Sequence, residues 1–377
     1  MTGDLLRPPP DRPRNGGFGR RVALGAAGAV PVLLAALVGG YVRRNLTDLE
    51  FGMAAVARAG FAEKRITVDG HTLAYAEGPD NGPPLVLVHG QGSRWQDHMR
   101  VLPALARDHR VFVVDVPGHG ASGRLEPEQY TNAAVGGILA AFVAEAVGGP
   151  AILSGHSSGG LLALWIAAAR PELVTALLLE DPPLFSSEMP RLTSTTGGTM
   201  LVLADQYLSA PAPGGFQRHL IEHGDYFGLF GPLAGPIEAD ALSWVDAHPG
   251  APFARFYLPT EVTVFFQGLV HYDPWFGAAW VRDGGRWYAG FDTEAALRAV
   301  DVPTTLIHTN YFEARDGTAY DGDGTLMAAM DSDDVARALA LLPAGTRLVQ
   351  IRSGHLVHYE RPASYLDALR ELSARAG

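Results

Sequence analysis

Gly155-His156-Ser157-Ser158-Gly159 is a G-x-S-x-G pentapeptide, a spacing suited to nucleophilic chemistry. Glycine on either side of the serine permits a tight strand-to-helix turn. A side chain at 155 or 159 would clash with the neighbouring strand or helix, and the turn lifts the Ser157 hydroxyl clear of the sheet edge. A serine hydroxyl is a weak nucleophile until a neutral imidazole takes its proton. Ser353-Gly354-His355 supplies a candidate imidazole late in the chain; His358, three residues on, reads as structural or pocket-lining. Two amides are expected to hold a developing oxyanion: Ser158 N–H, opening the helix that follows the pentapeptide, and Gln91 N–H in the His89-Gly90-Gln91-Gly92 turn.

A carboxylate is needed to orient His355, and three are in range. Asp181 ranks first. It closes an apolar run ending in Glu180-Asp181-Pro182, and 24 residues separate it from Ser157, about one strand–helix–strand unit. Glu313 ranks second and Asp331 third; both follow the later run Thr304-Thr305-Leu306-Ile307-His308. Asp321 and Asp323 lack the closing Glu of a calcium loop and read as a solvated turn. Asp115-Val116-Pro117-Gly118-His119-Gly120-Ala121-Ser122 has no phosphate-loop pattern, which leaves nucleotide binding unsupported.

The elements that must carry these groups alternate. Short uninterrupted apolar runs at Pro84–Val88, Arg110–Asp115, Ala151–Ser154 and Val174–Leu179 are separated by predicted helices over Gln96–Arg107, Thr131–Val147 and Ser158–Arg170. That alternation predicts an α/β fold with a mostly parallel sheet covered on both faces. Arg65–Val68 and Thr72–Tyr75 read as two strands joined by an Asp69-Gly70 hairpin turn. The rhythm breaks over 184–298, a Pro- and aromatic-rich stretch read as a mainly helical cap inserted into a core of 63–183 and 299–377. It resumes with Thr304–His308, helix Asp333–Leu342, strand Thr346–Ile351 and a closing helix from Pro362.

The chain has 377 residues, 47 % of them hydrophobic, no cysteine and a formal net charge of −11. Without Cys there is no disulfide framework, thiolate metal site or Cys nucleophile. The acidic balance argues against a nucleic-acid partner. Residues 1–21 read as a disordered basic tail. Val22 to Val42 carries no charge, and its 21 residues would span roughly 31 Å as a helix. It is expected to be a transmembrane anchor, or a signal segment removed on secretion. Five Arg precede it and three follow closely, so the catalytic part is expected outside the cytoplasm. A separate short helix is expected near Asp48–Ala59.

Taken together, the pentapeptide, the H-G-x-G turn, the D-x-P-G-H-G-x-S turn (Asp115 to Ser122) and the late Gly354-His355 resemble the α/β-hydrolase superfamily over about residues 63–376. The resemblance is closest to its single-domain branch with a cap between strands six and seven. It implies Ser157 as nucleophile, His355 as base, backbone donors at Gln91 and Ser158, the order serine, acid, histidine, and neither cofactor nor metal. It departs from the family where the acid usually stands, since Asn310-Tyr311-Phe312 occupies that position. Ser rather than Asp at 157 argues against the dehalogenases and epoxide hydrolases of the same branch. The implied activity is hydrolysis of a small or medium apolar ester. Carbon–carbon bond hydrolysis, peptide hydrolysis and perhydrolysis stay open within the fold, as does a non-catalytic small-ligand receptor.

Overall fold

The computed structural model describes residues 18–211, 213–309 and 319–376, with side chains from residue 34 onward. A hairpin opens the sheet: β1 (Ala62–Val68) and β2 (His71–Glu77) are antiparallel. Asp69 and Gly70 both take positive φ between them, 49° and 81°, the twist that a two-residue hairpin turn favours. Then come β3 (Pro84–Val88), β4 (Arg110–Val114), β5 (Ala151–His156), β6 (Val174–Glu180), β7 (Thr304–Thr309) and β8 (Arg347–Ile351). The sheet order is β1-β2-β4-β3-β5-β6-β7-β8, and all pairs from β4 to β8 are parallel.

The central strands are largely apolar because both faces are covered. Along β3, Val86 and Val88 join one core while Leu85 and Leu87 join the other; β4 divides Phe112 and Val114 from Val111 and Val113 in the same way. Successive side chains on a strand alternate faces, so a sheet roofed on both sides needs no polar positions. Each such side chain is worth about 1.5–3 kcal/mol on burial. One roof is α2 (Asn132–Phe142) and α3 (Ser158–Ala169). Thr131 caps α2 by accepting the Ala134 N–H. The opposite roof includes Trp95, Leu102 and the closing helix. There the expected helix Gln96–Arg107 is broken into a 3₁₀ turn at Trp95–His98 and one helical turn at Leu102–Leu105. Pro103 has no amide to donate, and the Asp97 side chain turns back onto the Arg94 N–H.

After β6 the chain leaves the sheet and returns at Thr304. The excursion contains α4 (Thr196–Ser209), α5 (Gly215–His223), α6 (Ala234–Ala247) and α7 (Thr260–Leu269). Its aromatics mostly pack on each other: Phe253 meets Phe227 and Phe266 edge-on, and Trp280 stacks on Trp287 at 4.5 Å. The last helix of the stretch, α8 (Thr293–Ala299), packs on α3 and belongs to the sheet's flank. Two longer helices follow β7, α9 (Ser332–Leu341) and α10 (Pro362–Ala376), with the short helical turn Val357–Glu360 just before the second.

The N-terminal expectation is corrected. A single uninterrupted helix, α1 (Phe18–Arg58), replaces the two expected segments over 22–42 and 48–59. Arg43 and Arg44, read as a boundary, sit in mid-helix, where Arg is a good helix former. Among the described residues, no helix is long and apolar enough to cross a membrane. Residues 34–40 are exposed. The later turns dock onto the body, where Asp48 receives Arg100 at 3.0 Å and the Tyr359 hydroxyl at 2.6 Å.

Candidate active site

The groups named for chemistry gather at the carboxyl ends of neighbouring parallel strands, the crevice where open α/β sheets take ligands. Ser157 follows β5 with φ +54°, a conformation that costs a non-glycine residue of the order of 1–3 kcal/mol. The flanking glycines are sterically required. A Cβ on Gly155 would lie 2.3 Å from the Gly159 carbonyl oxygen, and one on Gly159 would lie 2.4 Å from the carbonyl oxygens of Val88 and His89. All of these are backbone atoms that cannot turn aside. The Ser157 N–H donates to the Glu180 carbonyl at 2.9 Å, which ties the turn to the end of β6.

Asp181 stands one residue beyond β6, also at positive φ (+47°), with its N–H on the Ile307 carbonyl. Its carboxylate is buried and accepts three hydrogen bonds: Thr309 N–H at 3.0 Å, Thr309 Oγ1–H at 2.9 Å and His355 Nδ1–H at 2.7 Å. The register pairing Glu180 with Ile307 brings the end of β7 to this point. Thus Asp181 is the carboxylate that meets His355. Asp331 does not: it caps α9 through the Asp334 N–H and pairs with Arg191 at 2.8 Å. Glu313 lies outside the described residues. Asp321 accepts the Asp323 and Thr325 N–H groups within its own turn.

With Nδ1–H committed to Asp181, the Nε2 of a neutral His355 is left as the basic atom. The ring keeps 40 % of its side-chain surface open, facing the cavity that Ser157 also lines. Burial pushes its imidazole down, but the hydrogen bond and charge of Asp181, with the charges of Glu180 and Glu360 behind, outweigh it and raise the pKa above the usual value. Its loop is held from both sides. Glu360 accepts the Gly354 N–H at 2.8 Å, and His156 Nε2–H donates to the His355 carbonyl at 3.1 Å.

Gln91 and Ser158 line the same cavity. Ser158 is the first residue of α3, so its amide has no intrahelical acceptor. Among the described residues, the Gln91 amide has no protein acceptor either. Gly90 lets this turn press against the nucleophile, since a Cβ there would come within 2.9 Å of Ser157 Cβ. Two histidines hold the turn: His119 Nε2 accepts the Gly92 N–H, and His89 Nε2 accepts the Val116 N–H. Burial keeps both uncharged, with His89 pushed down to about 4. Asp115 anchors the facing loop by accepting the Trp95 and Ala121 N–H groups. The D-x-P-G-H-G-x-S turn therefore braces the site rather than lining it.

The cavity measures about 310 Å³ and extends under the cap to Met200, Leu201, Tyr226, Phe265 and Trp280. Among the described residues, no Lys or Arg lines it. Its Ser and Thr hydroxyls are mostly spent on the protein: Ser186 on the Ala329 carbonyl, Thr195 on Leu192, Thr196 on Leu326 and Thr309 on Asp181.

A family model described as alpha/beta hydrolase fold matches residues 83–220, covering β3 to α5.

The chain carries the α/β-hydrolase fold.

Lipase LipV of Mycobacterium tuberculosis is 25 % identical over 314 residues, 80 % of this chain and 97 % of the relative. The dihydrolipoyllysine-residue acetyltransferase component of the acetoin cleaving system of Pseudomonas putida is 36 % identical over 121 residues, 32 % of this chain and 32 % of its own length. This chain thus spans about a third of that relative. Among solved structures, a membrane phospholipase A described as a bacterial virulence factor superposes with TM-score 0.54 at 22 % identity, covering 94 % of this chain and 99 % of the other.

Two residues of this α/β-hydrolase site escaped the sequence reading. Thr309 carries no motif, and only the pairing of β6 with β7 puts it on Asp181. Glu180 had a visible signal, two consecutive acids closing the run Val174–Leu179, but only Asp181 was singled out there. His358 is sealed and bonded to Glu180, away from the cavity wall.

Proposed function

We propose that this α/β-hydrolase is a serine esterase acting on a small or medium apolar carboxylic ester. One observation carries the reading: His355 stands 2.7 Å from a buried Asp181 while sharing a cavity with Ser157 and two amides suited to an oxyanion. Nε2 of His355 takes the Ser157 proton as Oγ attacks the ester carbonyl. The tetrahedral oxyanion is held by the Gln91 and Ser158 N–H groups, and each lost donor costs about 10²–10³ in rate. Collapse expels the alcohol, which receives its proton from His355. A water deprotonated by the same imidazole then releases the acid from Ser157. Strain at Ser157 and the pre-set dipoles are in position before substrate arrives, so little reorganisation is left for the reaction step.

The walls support an uncharged, apolar substrate. Among the described residues, the lining has no cation to offset a carboxylate on the acyl group, and hydroxyls already bonded to main-chain carbonyls have little capacity left for polar substituents. A fluorophosphonate probe tests the mechanism. Rapid stoichiometric labelling at Ser157, abolished in Ser157→Ala, is expected; folded protein that stays unlabelled would refute it and favour a small-ligand receptor. The receptor reading draws only on the missing acid at the usual loop position, and the contact of Asp181 with His355 weighs against it. A substrate panel of aliphatic and aromatic esters, amides and β-diketones separates ester hydrolysis from peptide and carbon–carbon hydrolysis.

For location, we propose membrane attachment through the N-terminal part of α1, with the catalytic part outside the cytoplasm. Support comes from the charge-free stretch 22–42, the exposed Leu34, Leu37 and Val38, and the preponderance of Arg before it. Carbonate extraction of membranes, followed by N-terminal sequencing, tests this against secretion after cleavage.

A further inference from the structure

Two carboxylates stand side by side at the end of β6, and the proposed reaction uses only Asp181. Glu180 is equally sealed, and its side chain accepts the His358 N–H at 2.8 Å and His358 Nδ1–H at 2.9 Å. Its main-chain carbonyl receives the Ser157 N–H. His358 is three residues from His355, stacks on His98 at 4.1 Å and meets His156 edge-on at 5.1 Å. His156 in turn holds the His355 carbonyl. The base is therefore backed by a layer of buried imidazoles with one buried carboxylate among them.

We propose that Glu180 is a positioning residue for His355: it clamps the 355–358 segment through His358, and its negative charge stabilises the imidazolium that forms on His355. The inference rests on the reading of His355 as the base for Ser157. The clamp alone does not call for a charge, because a neutral amide oxygen could accept both bonds from His358. Burying a carboxylate with only neutral donors is costly, so the charge needs another function. Its surroundings identify one. The groups facing Glu180 are Asp181, His355, His156 and His358, with the Tyr365 hydroxyl nearby on Ser154. Those facing His355 are Asp181, Glu180, Glu360 and His156.

Within this layer only His355 is favoured to charge. Burial pushes His358 down to about 3, so it is neutral, with its proton on Nδ1 toward Glu180 and a bare Nε2 that has no protein partner among the described residues. His98 and His156 are likewise held well below their usual value by burial and by neighbouring imidazoles. Glu180 itself is pushed up to about 7 by burial. It therefore gains its charge in the neutral range in which a catalytic imidazole works.

Glu180→Gln keeps the shape and the acceptor oxygen and removes the charge. The measurement is the ¹H resonance of the His355 Nδ1–H, titrated by NMR in the inactive Ser157→Ala protein, with and without the second substitution. Loss of the charge is expected to lower the His355 midpoint by about one pH unit and to simplify a broadened, coupled transition. In active protein the acid limb of kcat/KM should move down with it, while plateau kcat falls and KM holds. An unchanged midpoint, even with reduced kcat, overturns the proposal and leaves Glu180 as scaffold. Should Glu180→Gln fail to fold, His358→Phe carries the same reading: it removes the ring donor and leaves only the main-chain N–H of residue 358 on Glu180, which raises that carboxyl further, so the midpoint should drop, and an unmoved midpoint again overturns it. Because the titration needs no turnover, a shifted midpoint combined with a parent protein, Ser157 intact, that no fluorophosphonate labels would refute the esterase reading and leave the Glu180–His355 coupling standing.

Discussion

Two acid–imidazole pairs lie next to each other, Asp181 with His355 and Glu180 with His358. Their bond lengths are alike, 2.7 and 2.9 Å. Their surroundings are not. His355 opens onto the cavity and is raised by its carboxylates against the effect of burial; His358 has no exposed surface, and burial drives it down to about 3. The contrast shows that pairing with a carboxylate does not suffice to make an imidazole a useful base. The carboxylate must outweigh desolvation, and a face of the ring must reach a reacting group. For His355 the hydrogen bond and charge of Asp181, with Glu180 and Glu360 behind, outweigh it, and two further donors from Thr309 hold the Asp181 carboxylate in place.

The largest test of that contrast is Ser157→Ala, which leaves both pairs in place and removes the group only the open pair can serve. Esterase kcat/KM should fall on the order of 10⁶, with unchanged thermal unfolding; turnover near the parent level would sink the mechanism. Asp181→Asn comes next, with an expected loss of about 10⁴ and unaltered fold by circular dichroism. The sign of its pH effect follows from the cause. Asp181 raises the His355 pKa, and the base works only when neutral, so the parent's acid limb lies above the ordinary 6.5 for histidine. In Asp181→Asn the limb should move down even as the plateau collapses. Thr309→Val removes one of three donors to Asp181 and should cost about tenfold in kcat/KM, the worth of one hydrogen bond, with little change in KM. The smallest kinetic effect is expected for Asp331→Ala. It should leave activity within about twofold yet lower unfolding stability by about 1 kcal/mol, the typical value of a helix N-cap; a catalytic collapse there would restore Asp331 as a rival to Asp181.

The glycine and serine spacing around Ser157 states a rule about atoms within a few residues of one another. The clashes that a Cβ at 155 or 159 would meet are consequences of one tight turn, so residue types alone reveal it. Strand and helix alternation is legible for a similar reason, since period and burial on both faces are written into the local pattern. The fracture of Gln96–Arg107 was less visible, because it depends on an Asp97 side chain folding back as well as on Pro103. So was the merging of two N-terminal segments into α1, whose later turns are held to the body by Asp48 on Arg100 and Tyr359.

The partner of His355 belongs to a different class of question. Asp181 and Asp331 look alike as strand-following or loop acids, and the chain separates them from His355 by 174 and 24 residues, which would favour the wrong one. The order β5-β6-β7-β8 brings the ends of strands far apart in sequence to one rim, and the β6–β7 register sets Thr309 on Asp181. Local sterics are encoded in neighbouring residue types, whereas the meeting of a carboxylate with an imidazole depends on which strands lie side by side, and no spacing along the chain carries that information.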